Sequence, residues 1–113
     1  IRWTRPQMAQ IVSAITGWET NVWELMRAGE RGVTMARAFN MREGLTRDDD
    51  RLPLRMQKYH VHGPVNEEPI DPEVLEEAKE TFYAMMGWDP ETGKPTLAKL
   101  EELDVAWVYD QIS

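Results

Sequence analysis

The chain of 113 residues contains no cysteine, and that one absence excludes disulfide frameworks, zinc–thiolate centres and iron–sulfur clusters held by its own sulfurs. Histidine is nearly as scarce. His60 and His62 are the only two, and in an extended segment they would share a side. Gly63-Pro64 follows at once and no spacing supplies a third ligand, so the pair reads as solvated loop and no metal site is assigned. Long apolar runs are missing as well. No stretch approaches the roughly 20 apolar residues needed to cross a bilayer, and no signal peptide is marked, which gives the expectation of a cytoplasmic protein without a membrane partner. Positive charge is in deficit: 13 basic against 20 acidic residues leave a formal charge of −7, which disfavours nucleic acid and anionic membrane surfaces. Period-two alternation of useful length is also lacking, which argues against a sheet.

What remains is helix and loop. After Pro6, suited to an early helical position because its nitrogen has no hydrogen to leave unpaired, Met8, Ile11, Val12 and Ile15 make one apolar face of a helix over Gln7 to Thr16. Gly17 supplies its stop. Asn21 and Glu24 form the two halves of a capping box for a longer second helix. Its stripe of Val22, Leu25, Met26, Gly29, Val33, Ala36 and Phe39 is expected to face the core, with Gly29 admitting a close neighbour and Gly44 ending the helix. From about 45 to 70 the periodicity dissolves into a long irregular connection with at most one helical turn, Leu54 to Tyr59. Asp71 and Pro72 then open a third helix carrying Val74, Leu75, Ala78, Phe82, Met85 and Met86, closed by Gly87. A turn through Gly93 leads to Thr96, the cap of a short helix with Leu97, Leu100 and Leu103, and a last turn is expected from Val105 to Gln111. The fold class is therefore a small all-α domain of about four to five helices, with residues 1–113 as one helical unit.

No nucleophile elbow, phosphate loop or dinucleotide fingerprint occurs, and no catalytic residue is assigned. The charge-dense stretch from Arg37 through Gly44 to Arg51 is expected to serve ion pairing that fixes the loop to the helix end, with a polar channel lining as the second option. Of the five tryptophans most are expected in the core, while Trp3 and Trp23 suit a boundary with a larger protein. The seven methionines, at helical spacing beside Leu and Val, read as core filler rather than copper ligands. Gly17-Trp18-Glu19 and Gly87-Trp88-Asp89 echo each other as a helix stop, a buried tryptophan and an acidic start.

These motifs, taken in order, resemble the end of the aldehyde:ferredoxin oxidoreductases. The resemblance is carried by Thr16-Gly17-Trp18-Glu19, Gly29-Glu30-Arg31, Arg37-Ala38-Phe39-Asn40-Met41-Arg42-Glu43-Gly44, Arg47, Asp49-Asp50, Leu52-Pro53 and Arg55. It continues through Tyr83, Gly87-Trp88-Asp89, Gly93, Pro95-Thr96, Lys99-Leu100 and Glu102-Leu103. The resemblance implies a parent enzyme that oxidises aldehydes to carboxylic acids with tungsten or molybdenum held by two pterin dithiolenes, passing electrons through a [4Fe–4S] cluster to ferredoxin. It also implies that the metal and cluster motifs lie upstream, so that this chain holds no cofactor itself and is inactive alone. A start at Ile1 rather than Met suits such a C-terminal piece. Its partner would be the remainder of the parent polypeptide, and an uncovered interface could alternatively pair two copies as a homodimer. Asn40, Arg42 and Asp49 are the candidates for the side facing the parent's cavity. The competing expectation is a free-standing helical interaction module that binds a protein through exposed tryptophans.

Overall fold

The computed structural model describes residues 3–58 and 69–112. Helix α1 spans Arg5–Thr16, two residues earlier than expected, because Thr4 supplies the cap: its backbone N–H donates to the Gln7 side chain at 2.9 Å. Gly17 takes the left-handed conformation, φ 74°, and its N–H returns to the Ser13 carbonyl at 2.9 Å. Helix α2 spans Val22–Arg42, opened by the expected reciprocal box: the Glu24 N–H donates to Asn21 at 3.0 Å and the Asn21 N–H to Glu24 at 3.2 Å. The connection contains two 3-10 turns, Arg47–Asp49 and Leu54–Gln57, the second within the expected segment. Its two described ends meet, since the Ile70 N–H donates to the Met56 carbonyl at 3.1 Å. Helix α3 spans Pro72–Met86 and α4 spans Leu97–Glu102, capped by Asp71 and Thr96 as expected. The final turn is a 3-10 helix, Ala106–Gln111. Among the described residues the elements are all helical, apart from one isolated bridge between Trp88 and Pro95.

The core gathers at the C-terminal end of the sequence. Leu100 and Leu103 are wholly enclosed, and Val105, Val108 and Ile112 pack with them against Ala38 of α2, with Met35 at the margin. Enclosing each of these leucines contributes about 2 kcal/mol from apolar surface removed from water. A six-residue helix could not persist alone. Here α4 is held because its leucine face is covered, and Asp104, at φ 59°, turns the chain so that Val105 and Val108 close over the same core.

The face of α2 that is covered differs from the expected one. Thr34, Arg37 and Ala38 are buried, whereas Met26, Val33 and Phe39 are each more than half exposed and Ala36 and Gly29 lie at the surface. A Cβ at Gly29 would meet open space, so the expected close approach is absent there. The same reversal holds on α3, where Tyr83 is buried while Val74, Ala78, Phe82 and Met85 are exposed. On α1, Ile15 is 79% exposed. The apolar periodicity marks helix faces that nothing within the described chain covers. The tryptophans follow suit: Trp88 is buried, but Trp3, Trp18, Trp23 and Trp107 are 60–72% exposed. The expected repeat device thus survives in its glycines, both left-handed, but Trp18 is not the buried counterpart of Trp88.

Candidate functional site

Arg37 is the organising side chain of the charge-dense stretch. It projects from α2 into a site where its Nε donates to the Gly93 carbonyl at 3.0 Å and its Nη1 to Asp50 Oδ1 at 2.8 Å. Nη2 lies 2.6 Å from Asp50 Oδ2, close enough to complete a charge pair although its N–H does not align for a hydrogen bond. The guanidinium is only 8% exposed and sits over the rings of Tyr83, at 5.5 Å, and Trp88, at 5.3 Å. The Tyr83 hydroxyl donates to Asp50 Oδ2. Four segments distant in sequence are joined in this way: α2, the loop after it, α3 and the turn at Gly93.

Electrostatics show what this node can do. Burial works to raise the Asp50 carboxyl, but hydrogen bonds from Arg37 and Tyr83, with the guanidinium charge, outweigh it and hold the group below its ordinary range. Burial and the hydrogen bond to Asp50 push the Tyr83 hydroxyl above its ordinary value. Both shifts lead away from neutrality, the opposite of what a general acid or base needs. The node is a clamp. Gly93 is part of it for a backbone reason: φ is 71°, and an added Cβ would collide with the Arg37 guanidinium.

Further ion pairs lace the helices together. Arg47 reaches the Pro90 carbonyl at 3.1 Å and Glu76 of α3 at 2.9 Å. Arg31 donates to the Leu103 carbonyl at 2.6 Å and shares Asp104 with Arg27. Lys99 bridges Glu30 at 2.9 Å and Glu102 at 2.8 Å. Ion pairing is what the sequence suggested for this stretch. Arg37 finds its partner at Asp50 within it, whereas Arg47 pairs with Glu76 on α3, a partner no local spacing could reveal.

The three residues expected to face a parent cavity are not brought together. Asn40 is exposed near the end of α2. Arg42 pairs with its neighbour Glu43 at 2.8 Å and lies over the Phe39 ring at 5.0 Å. Asp49 accepts from the Thr46 N–H at 2.8 Å and so caps its own 3-10 turn. A groove does run beside this segment, but Arg47 and Asp48 line it, facing Thr92 and Lys94. His60 and His62 lie outside the described residues.

Two grooves flank α2. One is bordered by Phe39, Trp107 and Val108. The other, between α2 and α3, is floored by Trp23, Met26, Val33, Phe82 and Met86, with Arg27, Glu30 and Glu102 on its rim. Phe82 is held in that floor by an edge contact with buried Trp88, ring centres 5.7 Å apart.

A clamp of ion pairs and aromatic rings, a core gathered at one end and several uncovered apolar helix faces define the class: a small all-helical domain. Comparison with known proteins places it more closely. The family model described as aldehyde ferredoxin oxidoreductase, domains 2 and 3, matches residues 2–105, and the chain belongs to that family. It is 33% identical over 101 residues to the tungsten-containing aldehyde ferredoxin oxidoreductase of Pyrococcus furiosus, covering 88% of this chain and 16% of that protein. The enzyme of the same name from Thermococcus kodakarensis is 31% identical over 99 residues, 85% of this chain and again 16% of the relative. Among solved structures, the active-site complex BamBC of benzoyl coenzyme A reductase with 1,5-dienoyl-CoA superposes with a TM-score of 0.78. It is 27% identical and covers 96% of this chain and 15% of that one. The chain therefore spans about a sixth of the relatives it matches.

The names of the curated relatives imply tungsten, and the residues here supply no side-chain ligand set for a metal ion or an iron–sulfur cluster. The sequence has no thiolate, and the described residues contain no group of three or more His, Asp or Glu placed to hold a metal ion. No helix among them is long and apolar enough to cross a membrane.

Proposed function

We propose that this chain is the C-terminal helical part of a tungsten-dependent enzyme that oxidises an aldehyde, with water, to a carboxylic acid. The two electrons released pass through a [4Fe–4S] cluster to ferredoxin, and tungsten or molybdenum held by pterin supplies the redox chemistry elsewhere in the polypeptide. The observation that carries the reading is the family match along nearly the whole chain joined to coverage of only 16% of each curated relative. On this reading the chain's work is structural: the Arg37 clamp holds α2, α3 and the Gly93 turn in one arrangement, and the open helix faces meet the rest of the polypeptide. By itself it is inactive. The segment from Asn40 to Asp50 faces the parent's cavity, with Arg42 and Asp49 beside the groove that Arg47 and Asp48 line.

The test is to purify the chain beside the full-length product of its gene, and to assay both for tungsten, molybdenum, pterin and aldehyde-dependent dye reduction. Metal and activity in the long form alone support the proposal. Stoichiometric metal in the short chain, or a gene that ends at these residues, overturns it and favours the free-standing interaction module. The benzoyl coenzyme A reductase likeness supports a second reading, a parent that reduces an aromatic acyl-CoA. Turnover of an aromatic thioester and none of aldehydes would establish it; the higher identity to the aldehyde enzymes favours the first.

A further inference from the structure

The groove between α2 and α3 has a property that identifies what fills it. Its floor is apolar and open, with Trp23 72% exposed and Met26 53%. Trp23, Met26, Glu30 and Val33 recur at steps of three and four, so they form one continuous row along α2, and Phe82 and Met86 face it from α3. The rim is charged, but every charge on it is already answered within the chain. Arg27 pairs with Asp104 at 3.6 Å, Glu30 with Lys99 at 2.9 Å and Glu102 with Lys99 at 2.8 Å. An occupant bringing its own charges would find no free counter-charge there and would give up hydration for nothing. An apolar ridge loses nothing and removes the tryptophan and methionines from water. The chain's radius of gyration, 18.2 Å, against about 13 Å for a compact domain of this length, indicates a slab built to be backed by something else.

We infer that this groove receives an uncharged apolar ridge from the part of the same polypeptide outside these 113 residues. The inference rests on the functional reading above. The choice of occupant follows from length: about five sixths of each curated relative lies beyond the matched region, far more chain than is needed to cover one face.

The experiment uses the full-length gene product, assayed for tungsten and aldehyde oxidation, and maps hydroxyl-radical oxidation residue by residue with mass spectrometry. Trp23 and Met26 are expected to oxidise about tenfold more slowly than freely exposed Trp and Met, at every protein concentration. The double variant Met26→Glu/Val33→Glu is expected to raise oxidation at Trp23 and let limited proteolysis release the C-terminal piece, while Met26→Leu/Val33→Ile leaves Trp23 as slow to oxidise as in the unaltered protein. Free-rate oxidation in protein that holds tungsten and oxidises aldehydes overturns the docking inference and leaves the functional reading intact. Protection that disappears on dilution, with a dimer in sedimentation, also overturns it and assigns the groove to a second copy. Absence of tungsten and of aldehyde oxidation overturns the functional reading instead.

Discussion

Arg37 and Asp50, 13 residues apart, meet with both nitrogens of the fork against both carboxylate oxygens, at 2.8 and 2.6 Å, with the guanidinium over the rings of Tyr83 and Trp88. The pair is a geometric lock more than a source of net energy, since desolvating two charges consumes much of their attraction. Removing one partner is a different matter. Arg37→Leu leaves the Asp50 carboxylate with only the Tyr83 hydroxyl and the Gly93 carbonyl without this donor, and is expected to lower unfolding stability by about 2–4 kcal/mol in denaturant titrations. Arg37→Lys keeps the charge but not the fork, and should recover only part of that loss.

Gly93→Ala tests the clamp from the backbone side. Alanine at φ 71° carries a left-handed cost, and its Cβ would push on the guanidinium. The expected loss is about 2–4 kcal/mol. The same change at Gly44, whose Cβ would meet open space at φ 98°, should cost only the backbone part, about 1–2 kcal/mol. Equal losses at both sites would rule out the collision.

Stability should depend on pH at both extremes, with opposite signs. The folded-state pKa of Asp50 lies below its unfolded value, so its contribution is present above the ordinary carboxyl range and is lost as pH falls through the folded value. The folded-state pKa of Tyr83 lies above its unfolded value near 10, so its contribution is present below that value and is lost as pH rises through the folded one. Tyr83→Phe should cost about 1.5–3 kcal/mol at neutral pH, abolish its alkaline loss and move the acid limb to higher pH. Thermal melts across pH read all three.

Leu100→Ala opens a void in the closed core around Leu103 and Val108 and is expected to cost about 2–5 kcal/mol. Arg42→Ala, by contrast, removes an exposed pair with its neighbour, worth about 0–1 kcal/mol. Asp49→Ala removes the carboxylate that accepts from the Thr46 N–H and should lower stability only slightly. If Arg42 or Asp49 also borders the parent's cavity, turnover of the full enzyme falls by more than these stability changes explain; unchanged turnover places them outside it.

Local rules were sufficient wherever a neighbour within four residues decides the conformation. The capping box of Asn21 and Glu24, the caps at Asp71 and Thr96 and the left-handed stops at Gly17 and Gly87 are all legible in the sequence, because each is a contest between a few nearby hydrogen bonds and one side chain's sterics. Hence the all-helical class and the order of elements could be read directly. The chemistry that the chain cannot perform with thiolates was likewise settled by composition.

Which face of each helix is covered was decided only in three dimensions. Periodicity found the apolar row of Met26 and Val33 correctly but could not say what would lie against it, since burial belongs to the partner as much as to the row. Arg37 looks from the sequence like one charge among many; its burial depends on Asp50, Tyr83 and Gly93, the last two 46 and 56 residues away, arriving from elements whose placement no local pattern encodes. The sequence by itself determined the helices, their ends and the absence of thiolate metal chemistry, because those depend on short-range hydrogen bonding and on residue inventory. Only the tertiary structure decided the clamp and the open groove, because both are made by long-range packing.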